Sequence, residues 1–245
     1  MARRHRTWPQ VSGNLACTAF GPRREYNLPP WMRWENVLTV VDRKYRFIVL
    51  VCALCCGALL QAQAPNDAAD VQRLTEILQL SDGSVVADVG AGSGPLSLAI
   101  APRVGQAGRV FSTDIEPQRL REITEGVARA GLQNVTVIEG GLNQTNLPEG
   151  SCNGIFMRDV YHHFAQPPAM NASLYRSLKP GGRVAVIDFP PRSGHTAPAG
   201  SRDNGADHGI LPEDVIRELS AAGFTDVQQV PWSSPGYFAV VGRRP

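Results

Sequence analysis

From about residue 70 onward, short apolar runs alternate with segments whose apolar residues recur at helical spacing. Val71, Leu74 and Ile77 lie on one face of a predicted helix. The run 85–89 is almost continuously apolar, which predicts a buried strand. The same pattern repeats to the end of the chain. It predicts strands at 85–89, 109–113, 135–139, 154–157, 183–189, 225–231 and 237–241, and helices at 70–80, 118–130, 169–178 and 212–222, with a further helix that begins at Pro95 and is cut short by Pro102.

This order of elements predicts an α/β fold. Alternating strands and helices form a doubly wound, seven-stranded and mostly parallel sheet of the Rossmann-like type. Only residues 232–236 separate the last two predicted strands, which are therefore expected to pair antiparallel. Ligands of such sheets bind beyond the carboxyl ends of the strands. The segment 190–210 is long for a loop and rich in Gly, Pro, Ser and Asp, which indicates a lid or a flexible substrate loop.

A glycine-rich turn follows the first predicted strand. Asp88 lies near the strand end, Gly90, Gly92 and Gly94 follow, and Pro95 opens the next helix. Glycines let a ligand approach the backbone closely, and the amides of the turn are expected to face that ligand. A dinucleotide fingerprint needs a glycine where Pro95 stands. The motif therefore weighs against a dinucleotide as the ligand.

A second acid ends the second predicted strand. Asp114 follows Gly94 by twenty residues. A carboxylate at this place can accept hydrogen bonds from both hydroxyls of a ribose, whichever nucleoside cofactor carries it. Capping of the following helix is the alternative interpretation.

Three motifs together carry a family resemblance. The segments 88–94, 158–164 (Arg-Asp-Val-Tyr-His-His-Phe) and 178–182 (Leu-Lys-Pro-Gly-Gly), with Asp114, resemble the class I S-adenosylmethionine-dependent methyltransferases, in the type 11 or ubiquinone-menaquinone-biosynthesis-like branch. The resemblance covers roughly residues 70–245. It implies S-adenosyl-L-methionine as cofactor and methyl transfer to an unidentified small-molecule or peptide-sized acceptor. The cofactor-binding residues that it implies are Asp88, Gly90, Ala91, Gly92, Gly94, Asp114, Ile115, Gly141, Leu142 and Arg158.

One position departs from the family pattern. The family often has an acid near the adenine amino group after the third strand, where this chain has Gly141. Adenine is therefore expected to be held by backbone groups near Leu142 or by Asn143. Arg158 has two open interpretations, a contact with the methionine carboxylate or a surface salt bridge.

Three histidines are the candidate catalytic bases. Methyl transfer from a sulfonium depends on alignment and exclusion of water, and a base is needed only where the acceptor loses a proton. His162, His163 and His208 could serve because imidazole titrates near neutral pH. Rings that pack on the pocket or bond to the backbone are the alternative. A metal site that also uses Asp159 is disfavoured, because adjacent histidines do not share a helix face; no metal is predicted.

Two other functions stay open. An NAD-dependent oxidoreductase or epimerase would share the sheet and Asp114, but Pro95 and the lack of a clear Tyr-x-x-x-Lys pair weigh against it. A non-catalytic S-adenosylmethionine-binding module would explain the missing adenine acid. The charge pattern weighs against nucleic acid as a partner. Residues 1–46 hold nine of the 24 Lys and Arg and three of the 22 Asp and Glu, which leaves 15 basic and 19 acidic residues in the remainder.

The beginning of the chain resembles a secretory leader. Residues 47–60 are uncharged and mostly apolar, basic residues precede them, and Ala-Gln-Ala follows at 62–64, which predicts a signal peptide. We expect Met32 to be the true start, residues 1–64 to be an extension and 65–245 the methyltransferase domain. The protein is then exported to the periplasm, secreted, or anchored through this segment. The segment is the one expected membrane contact. A cytoplasmic location is the alternative. The sequence does not specify an oligomeric state.

The cysteines indicate no disulfide framework in the predicted domain. Cys17, Cys52, Cys55 and Cys56 all precede residue 65, and Cys152 alone falls within the domain. The three cysteines at 52–56 lie in the apolar run without acidic or histidine neighbours, so we do not expect them to bind metal.

Overall fold

The structure is a computed structural model that describes the backbone of residues 64–245 and the side chains from residue 68. The predicted signal segment 47–60, Met32 and the four cysteines before residue 65 lie outside these residues. The predicted division at residue 64 therefore stays a prediction.

A seven-stranded sheet forms the centre of the described part of the chain. Its strands run in the spatial order β3-β2-β1-β4-β5-β7-β6. The first five pair in parallel, and β7 pairs antiparallel with both β5 and β6. The strands are β1 (Val85–Val89), β2 (Arg109–Asp114), β3 (Val135–Glu139), β4 (Cys152–Arg158), β5 (Leu178–Asp188), β6 (Thr225–Val230) and β7 (Phe238–Arg243). The predicted mostly parallel sheet with an antiparallel carboxyl-terminal pair is confirmed.

Helices cover both faces of this sheet, because alternate residues of the central strands point to opposite sides. On one face, Leu74 and Ile100 belong to a core with Val86 of β1. On the other face, Leu174 and Leu219 belong to a core with Ala87. The helices are α1 (Ala64–Ile77), α2 (Pro95–Val104), α3 (Pro117–Ala130), α4 (Pro167–Ser177) and α5 (Pro212–Ala221).

Two of the differences from the predicted bounds have local reasons. Strand β5 begins at Leu178 rather than at residue 183, because Leu178 already pairs with Cys152, ahead of a register shift in the β4–β5 ladder. Helix α2 continues two residues past Pro102 and ends at Val104. A proline this near the carboxyl end of a helix disturbs few of its hydrogen bonds, so the predicted early stop is wrong.

Two smaller findings concern the described residues alone. Cys152 is buried and unpaired, and burial raises the pKa of its thiol to about 11. From residue 64 onward, no helix has both the length and the apolar character that crossing a bilayer requires.

Candidate active site

The candidate site lies at the carboxyl edge of the parallel strands. Strand β1 is central, and the chain continues from it to β2 and β3 on one side and returns to β4 and β5 on the other. This is the switch point at which open α/β sheets bind ligands. The strands that end here are β1, β2, β4 and β5, with the acids Asp88, Asp114 and Asp188 at or next to their ends.

The glycine-rich turn has the left-handed backbone that its sequence predicts. Gly90, Gly92 and Gly94 have φ angles of 72°, 58° and 83°. A Cβ on Gly90 would stand 2.5 Å from Cγ2 of Val160, whereas a Cβ on Gly92 would project into open space. The turn is therefore glycine-rich for both reasons: close packing against the β4 side and room for a ligand.

The amides of this turn are bonded within the protein, which corrects one expectation. Gly90 and Ala91 both donate their amide N–H to the Thr113 carbonyl, at 2.9 and 2.8 Å. The amide of Gly94 donates to the Ala91 carbonyl, and that of Gly92 to the Asp114 carboxylate. Three of these amides brace the turn against β2, and the Gly94 amide closes the turn itself, so none of the four faces a ligand. The turn offers a close backbone surface, which suits a ligand without a pyrophosphate.

Two cavities flank the turn. The first has a volume of about 410 Å³ and the second about 350 Å³. Gly90 and Val160 line both, so the cavities meet where β1 and β4 end. The first cavity is further lined by residues from β2, the β3–β4 loop and the segment after β4, among them Asp114, Ile115, Gly141, Leu142, Gln144, His163 and Asp203. The second is further lined by residues that include Asp88, Ala91, Gly92, Arg119, Arg158 and Asp159.

Asp114 stands in the wall of the first cavity and is 9% exposed. Its Oδ2 accepts the Gly92 amide at 2.9 Å and its Oδ1 accepts the Glu116 amide at 3.0 Å. Each carboxylate oxygen has a second lone pair that can accept a hydroxyl. Asp114 therefore orders the turns after β1 and β2, but it does not cap the following helix, whose N-cap residue is Glu116 with no side-chain capping bond. The contact of Asp114 with a ribose stays a prediction.

Two exposed apolar side chains face the same cavity. Among the described residues, Ile115 and Leu142 are the large hydrophobic residues with high exposure, at 51% and 71%, and both line the first cavity. Large side chains exposed together in a cleft indicate a flat apolar ligand, such as a purine base. Gly141 donates its amide to the Gln144 carbonyl at 2.9 Å, and Gln144 itself lines the cavity. Asn143, one of the two predicted adenine contacts, is not part of this wall.

Asp88 is almost completely buried in the wall of the second cavity. The Ser97 hydroxyl donates to its Oδ2 at 2.7 Å. Burial is the largest influence on this carboxyl and raises its pKa to about 7, and the negative charge of Asp114 adds to the shift. A ligand ammonium in this cavity would favour the ionised form of Asp88.

Arg158 ends β4 beside the second cavity, and its guanidinium is engaged by α1. Its Nη1 lies 3.0 Å from Oδ2 of the buried Asp70, and its guanidinium carbon lies 5.7 Å from the centre of the Tyr237 ring. Arg158 therefore forms a salt bridge as one interpretation expected, but with a buried partner rather than at the surface. Because the same side chain also lines the second cavity, a ligand carboxylate remains within its reach.

The three candidate bases form one group, here called the imidazole cluster (His162, His163 and His208). His162 and His163 belong to a single 3₁₀ turn after β4, and their ring centres lie 4.0 Å apart. Nε2 of His208, from the β5–α5 loop, lies 3.1 Å from Nε2 of His162. The argument that adjacent histidines diverge holds for an α-helix and is wrong here, because this short turn keeps both rings together.

A buried carboxylate orients His162. Nδ1 of His162 lies 2.8 and 3.1 Å from the two carboxylate oxygens of Asp188, and both side chains are almost fully buried. Asp188 also accepts the backbone amides of His162 and Phe189. A carboxylate only accepts, so Nδ1 of His162 carries a proton and Nε2 faces His208. Burial keeps His162 itself from direct contact with an acceptor.

His163 is the member of the cluster that lines the first cavity. Partial burial, followed by the neighbouring His162, lowers the pKa of His163. His163 and His208 are both exposed, unlike His162. The part of the cluster that an acceptor can reach is therefore His163 together with His208.

The sequence reasoning missed Asp188, Val160 and Gln144. Asp188 ends a strand at the same edge as Asp88 and Asp114, so its position in the predicted strand order could have revealed it. Val160 and Gln144 carry no such signal, because their roles depend on the approach of two loops to the glycine-rich turn.

A central strand at the switch point, an acid at the end of β2 and an apolar cleft are the features of α/β proteins that bind nucleoside cofactors. Comparison with known proteins narrows this class, since the methyltransferase domain family matches residues 86–182. The chain is 29% identical over 109 residues to an arsenite methyltransferase of Halobacterium salinarum, covering 44% of this chain and 28% of that protein. It is 31% identical over 119 residues to a ubiquinone/menaquinone biosynthesis C-methyltransferase of Methylococcus capsulatus, covering 46% of each.

The fold comparison agrees with the sequence comparison. A crystal structure of a SAM-dependent methyltransferase from Aquifex aeolicus superposes with a TM-score of 0.61 at 24% identity, covering 77% of this chain and 96% of that one. Residues 86–182 thus match the methyltransferase domain family, and the described part of the chain has the fold of an S-adenosylmethionine-dependent methyltransferase. The chain spans less than half the length of the two curated relatives.

Proposed function

We propose that this protein transfers the methyl group of S-adenosylmethionine to a small-molecule acceptor. The observation that carries the proposal is the meeting of the two cavities at Gly90 and Val160. The first cavity has the features of a nucleoside site. The second has a carboxyl group, Asp88, and a guanidinium, Arg158, which suit the ammonium and the carboxylate of an amino-acid moiety. A methyl group carried between these two moieties would lie at the junction of the cavities.

The residues present fit the cofactor part by part. The ribose hydroxyls pair with Asp114, and the adenine lies against Ile115 and Leu142. The methionine ammonium pairs with Asp88 and its carboxylate with Arg158. The carboxylates around both cavities also favour a cationic ligand over an anionic one. When bound, the cofactor supplies a methyl group on a positively charged sulfur that accepts the electron pair of the breaking bond.

The acceptor is expected beside the imidazole cluster. His163 lies in the wall of the first cavity, next to Val160 and Phe164. The cluster is the polar group that receives the heteroatom of the acceptor, whereas Phe164 and Met170 form the apolar wall. The first cavity must also hold the adenosyl moiety, which leaves room for a small acceptor. Asp203 and Glu116 in the same wall disfavour the phosphates of a nucleic acid.

Turnover separates this proposal from the non-catalytic alternative. Purified protein is incubated with S-adenosylmethionine and a panel of phenols, enols, amines and thiols, and S-adenosylhomocysteine release is measured. Acceptor-dependent release supports a methyltransferase. Cofactor binding without release across the whole panel would favour the binding module, while heat protection by NADH and not by S-adenosylhomocysteine would favour the oxidoreductase.

The pH dependence of cofactor binding tests the proposed role of Asp88. Its pKa of about 7 means that the carboxylate forms as the pH rises from 6 to 7.5. Because the ammonium of S-adenosylhomocysteine favours the ionised form, we expect its affinity, measured by calorimetry, to rise severalfold over this interval. Asp88→Asn should bind more weakly than the wild type at pH 7.5 and show a flat profile.

Asp82→Asn is the matched control, since Asp82 precedes β1 and lies outside both cavities. It should keep the wild-type affinity and the wild-type pH profile. An Asp88→Ala variant that binds S-adenosylhomocysteine within twofold of the wild type would show that the ammonium does not lie at Asp88.

We also propose that the leader directs export and is removed after Ala64. The basic residues, the apolar run and the Ala-Gln-Ala sequence support this. Cleavage there would retain Asp70 and its ion pair with Arg158. Amino-terminal sequencing of the natively expressed protein should find Pro65 as the first residue; an intact leader in a cytoplasmic fraction would contradict the proposal.

A further inference from the structure

The imidazole cluster has the composition of a metal site, and a carboxylate, Asp188, holds the ring of His162 from behind. His162, His163 and His208 each offer a ring nitrogen, and these three nitrogens lie within 4.8 Å of one another. They come from two separate segments, the 3₁₀ turn after β4 and the β5–α5 loop, which meet only in the folded chain. We propose that these three imidazoles bind a divalent transition-metal ion of the zinc type beside the methyl-transfer site.

The orientation of His162 supports metal binding. Nδ1 of His162 donates to the Asp188 carboxylate, which places the lone pair of a singly protonated ring on Nε2. A metal-binding histidine typically has such a carboxylate on its other ring nitrogen, because this bond fixes the tautomer and raises the basicity of the ligand. Two backbone amides hold Asp188 in turn.

The spacing suits a small ion. A tetrahedral ion with metal–nitrogen bonds of about 2.0–2.1 Å holds its ligand nitrogens roughly 3.3 Å apart. The Nε2 atoms of His162 and His208 are 3.1 Å apart. His163 and His208 are exposed, so rotation of their side chains can close the remaining distance. Without an ion, a hydrogen bond between the two Nε2 atoms takes the place that the ion would have.

The donor set also decides which class of ion is favoured. Imidazole nitrogens suit Zn²⁺, Cu²⁺, Ni²⁺ and Fe²⁺, whereas Mg²⁺ and Ca²⁺ prefer oxygen ligands. Three protein ligands leave an open position of the kind found in catalytic sites.

A cation at the imidazole cluster would also indicate the chemical class of the methyl acceptor. This inference rests on the proposed function. Because His163 lines the cavity of the acceptor, the hydroxyl oxygen of an acceptor can complete the coordination. The ion lowers the pKa of that hydroxyl, and its proton passes to solvent. The oxygen–methyl bond then forms as the methyl–sulfur bond breaks, and the electron pair stays on sulfur. The acceptor class is therefore a small hydroxylated molecule.

The test uses the full chain without a histidine tag, treated with a chelator and dialysed. Zn²⁺ is titrated in competition with a chromophoric chelator, and we expect a site that His208→Ala and His163→Ala each weaken at least about tenfold. Both residues are exposed, so these variants should fold. His195→Ala is the matched control, because His195 lies exposed in the same β5–α5 loop outside the cluster; it should bind Zn²⁺ as the wild type does.

The spectrum of bound Co²⁺ distinguishes metal binding at the imidazole cluster from metal binding at the amino-terminal cysteines. Co²⁺ bound by imidazoles gives visible bands without the intense ultraviolet bands of thiolate ligation. We expect imidazole-type bands that disappear in His208→Ala and persist in His195→Ala. Bands of thiolate type alone, or Zn²⁺ binding that no histidine variant weakens, would overturn the proposal.

Calorimetry with S-adenosylhomocysteine on the same preparations distinguishes the two proposals. Binding of S-adenosylhomocysteine without a histidine-dependent metal site refutes the metal site alone. Histidine-dependent metal binding without S-adenosylhomocysteine binding refutes the proposed function and leaves the metal site standing.

Discussion

Replacing Asp114 by alanine is expected to lower the affinity for S-adenosylhomocysteine by at least about fiftyfold. The substitution removes the acceptor for both ribose hydroxyls. It also leaves the amides of Gly92 and Glu116 without the carboxylate that orders them. Both the hydrogen bonds to the ligand and the shape of the turn are therefore lost. Calorimetry at pH 7.5 measures the affinity, and circular dichroism reports whether the fold is retained.

Glu116→Ala is the matched control for this prediction. Glu116 lies two residues after Asp114 and lines the same cavity. Its Oε2 lies 3.9 Å from Nε of Arg119 on the protein surface. Its loss should change the affinity less than about threefold, because an exposed ion pair of this kind contributes little. An Asp114→Ala variant within threefold of the wild type, or an equal loss in Glu116→Ala, would place the ribose elsewhere.

Replacing Asp188 by alanine is expected to cause the largest loss of stability, about 3–5 kcal/mol in the free energy of unfolding. Asp188 is fully buried and accepts three donors: Nδ1 of His162 and the backbone amides of His162 and Phe189. Alanine would leave all three donors buried without an acceptor. Chemical denaturation monitored by circular dichroism gives the change.

Two further variants define the role of Asp188. Asp188→Asn keeps the volume and should cost less stability, but its amide can donate to Nδ1 of His162 and so reverse the tautomer that metal binding needs. It should therefore weaken Zn²⁺ binding in a folded protein. Asp207→Ala, at an exposed acid of the same loop, should change stability by no more than about 0.5 kcal/mol. An Asp188→Ala variant within 1 kcal/mol of the wild type would contradict this account.

Local patterns predicted the strands well, but not every helix end. Residues 85–89 form β1 as predicted, because a continuous apolar run between turn residues has few other ways to bury its side chains. Helix α3 ends before Gly131, whose φ of 64° shows the left-handed cap that glycine permits. Helix α1 begins six residues before its predicted start, since its first residues carry no clear periodicity.

The individual site residues were predictable where a strand end fixes them. Asp88, Asp114 and the glycines between them follow strands that meet at one edge, so their convergence follows from the topology. That the turn amides bond within the protein instead of facing a ligand was not predictable, because their partners Thr113 and Asp114 belong to another strand. Likewise, Gln144 rather than Asn143 lines the cavity, since the path of the loop decides which side chain turns inward.

The amino-acid sequence by itself determined the doubly wound sheet and the edge at which the candidate site lies. Both depend on short-range periodicity and on glycines whose conformations are set locally. Its motifs also carry the family resemblance that implies the cofactor. Only the tertiary structure decided that His208 meets His162, that Asp188 orients this pair, and that two cavities join at Gly90 and Val160. The contact between His162 and His208 alone joins residues 46 positions apart, and no local pattern records which loop packs against which.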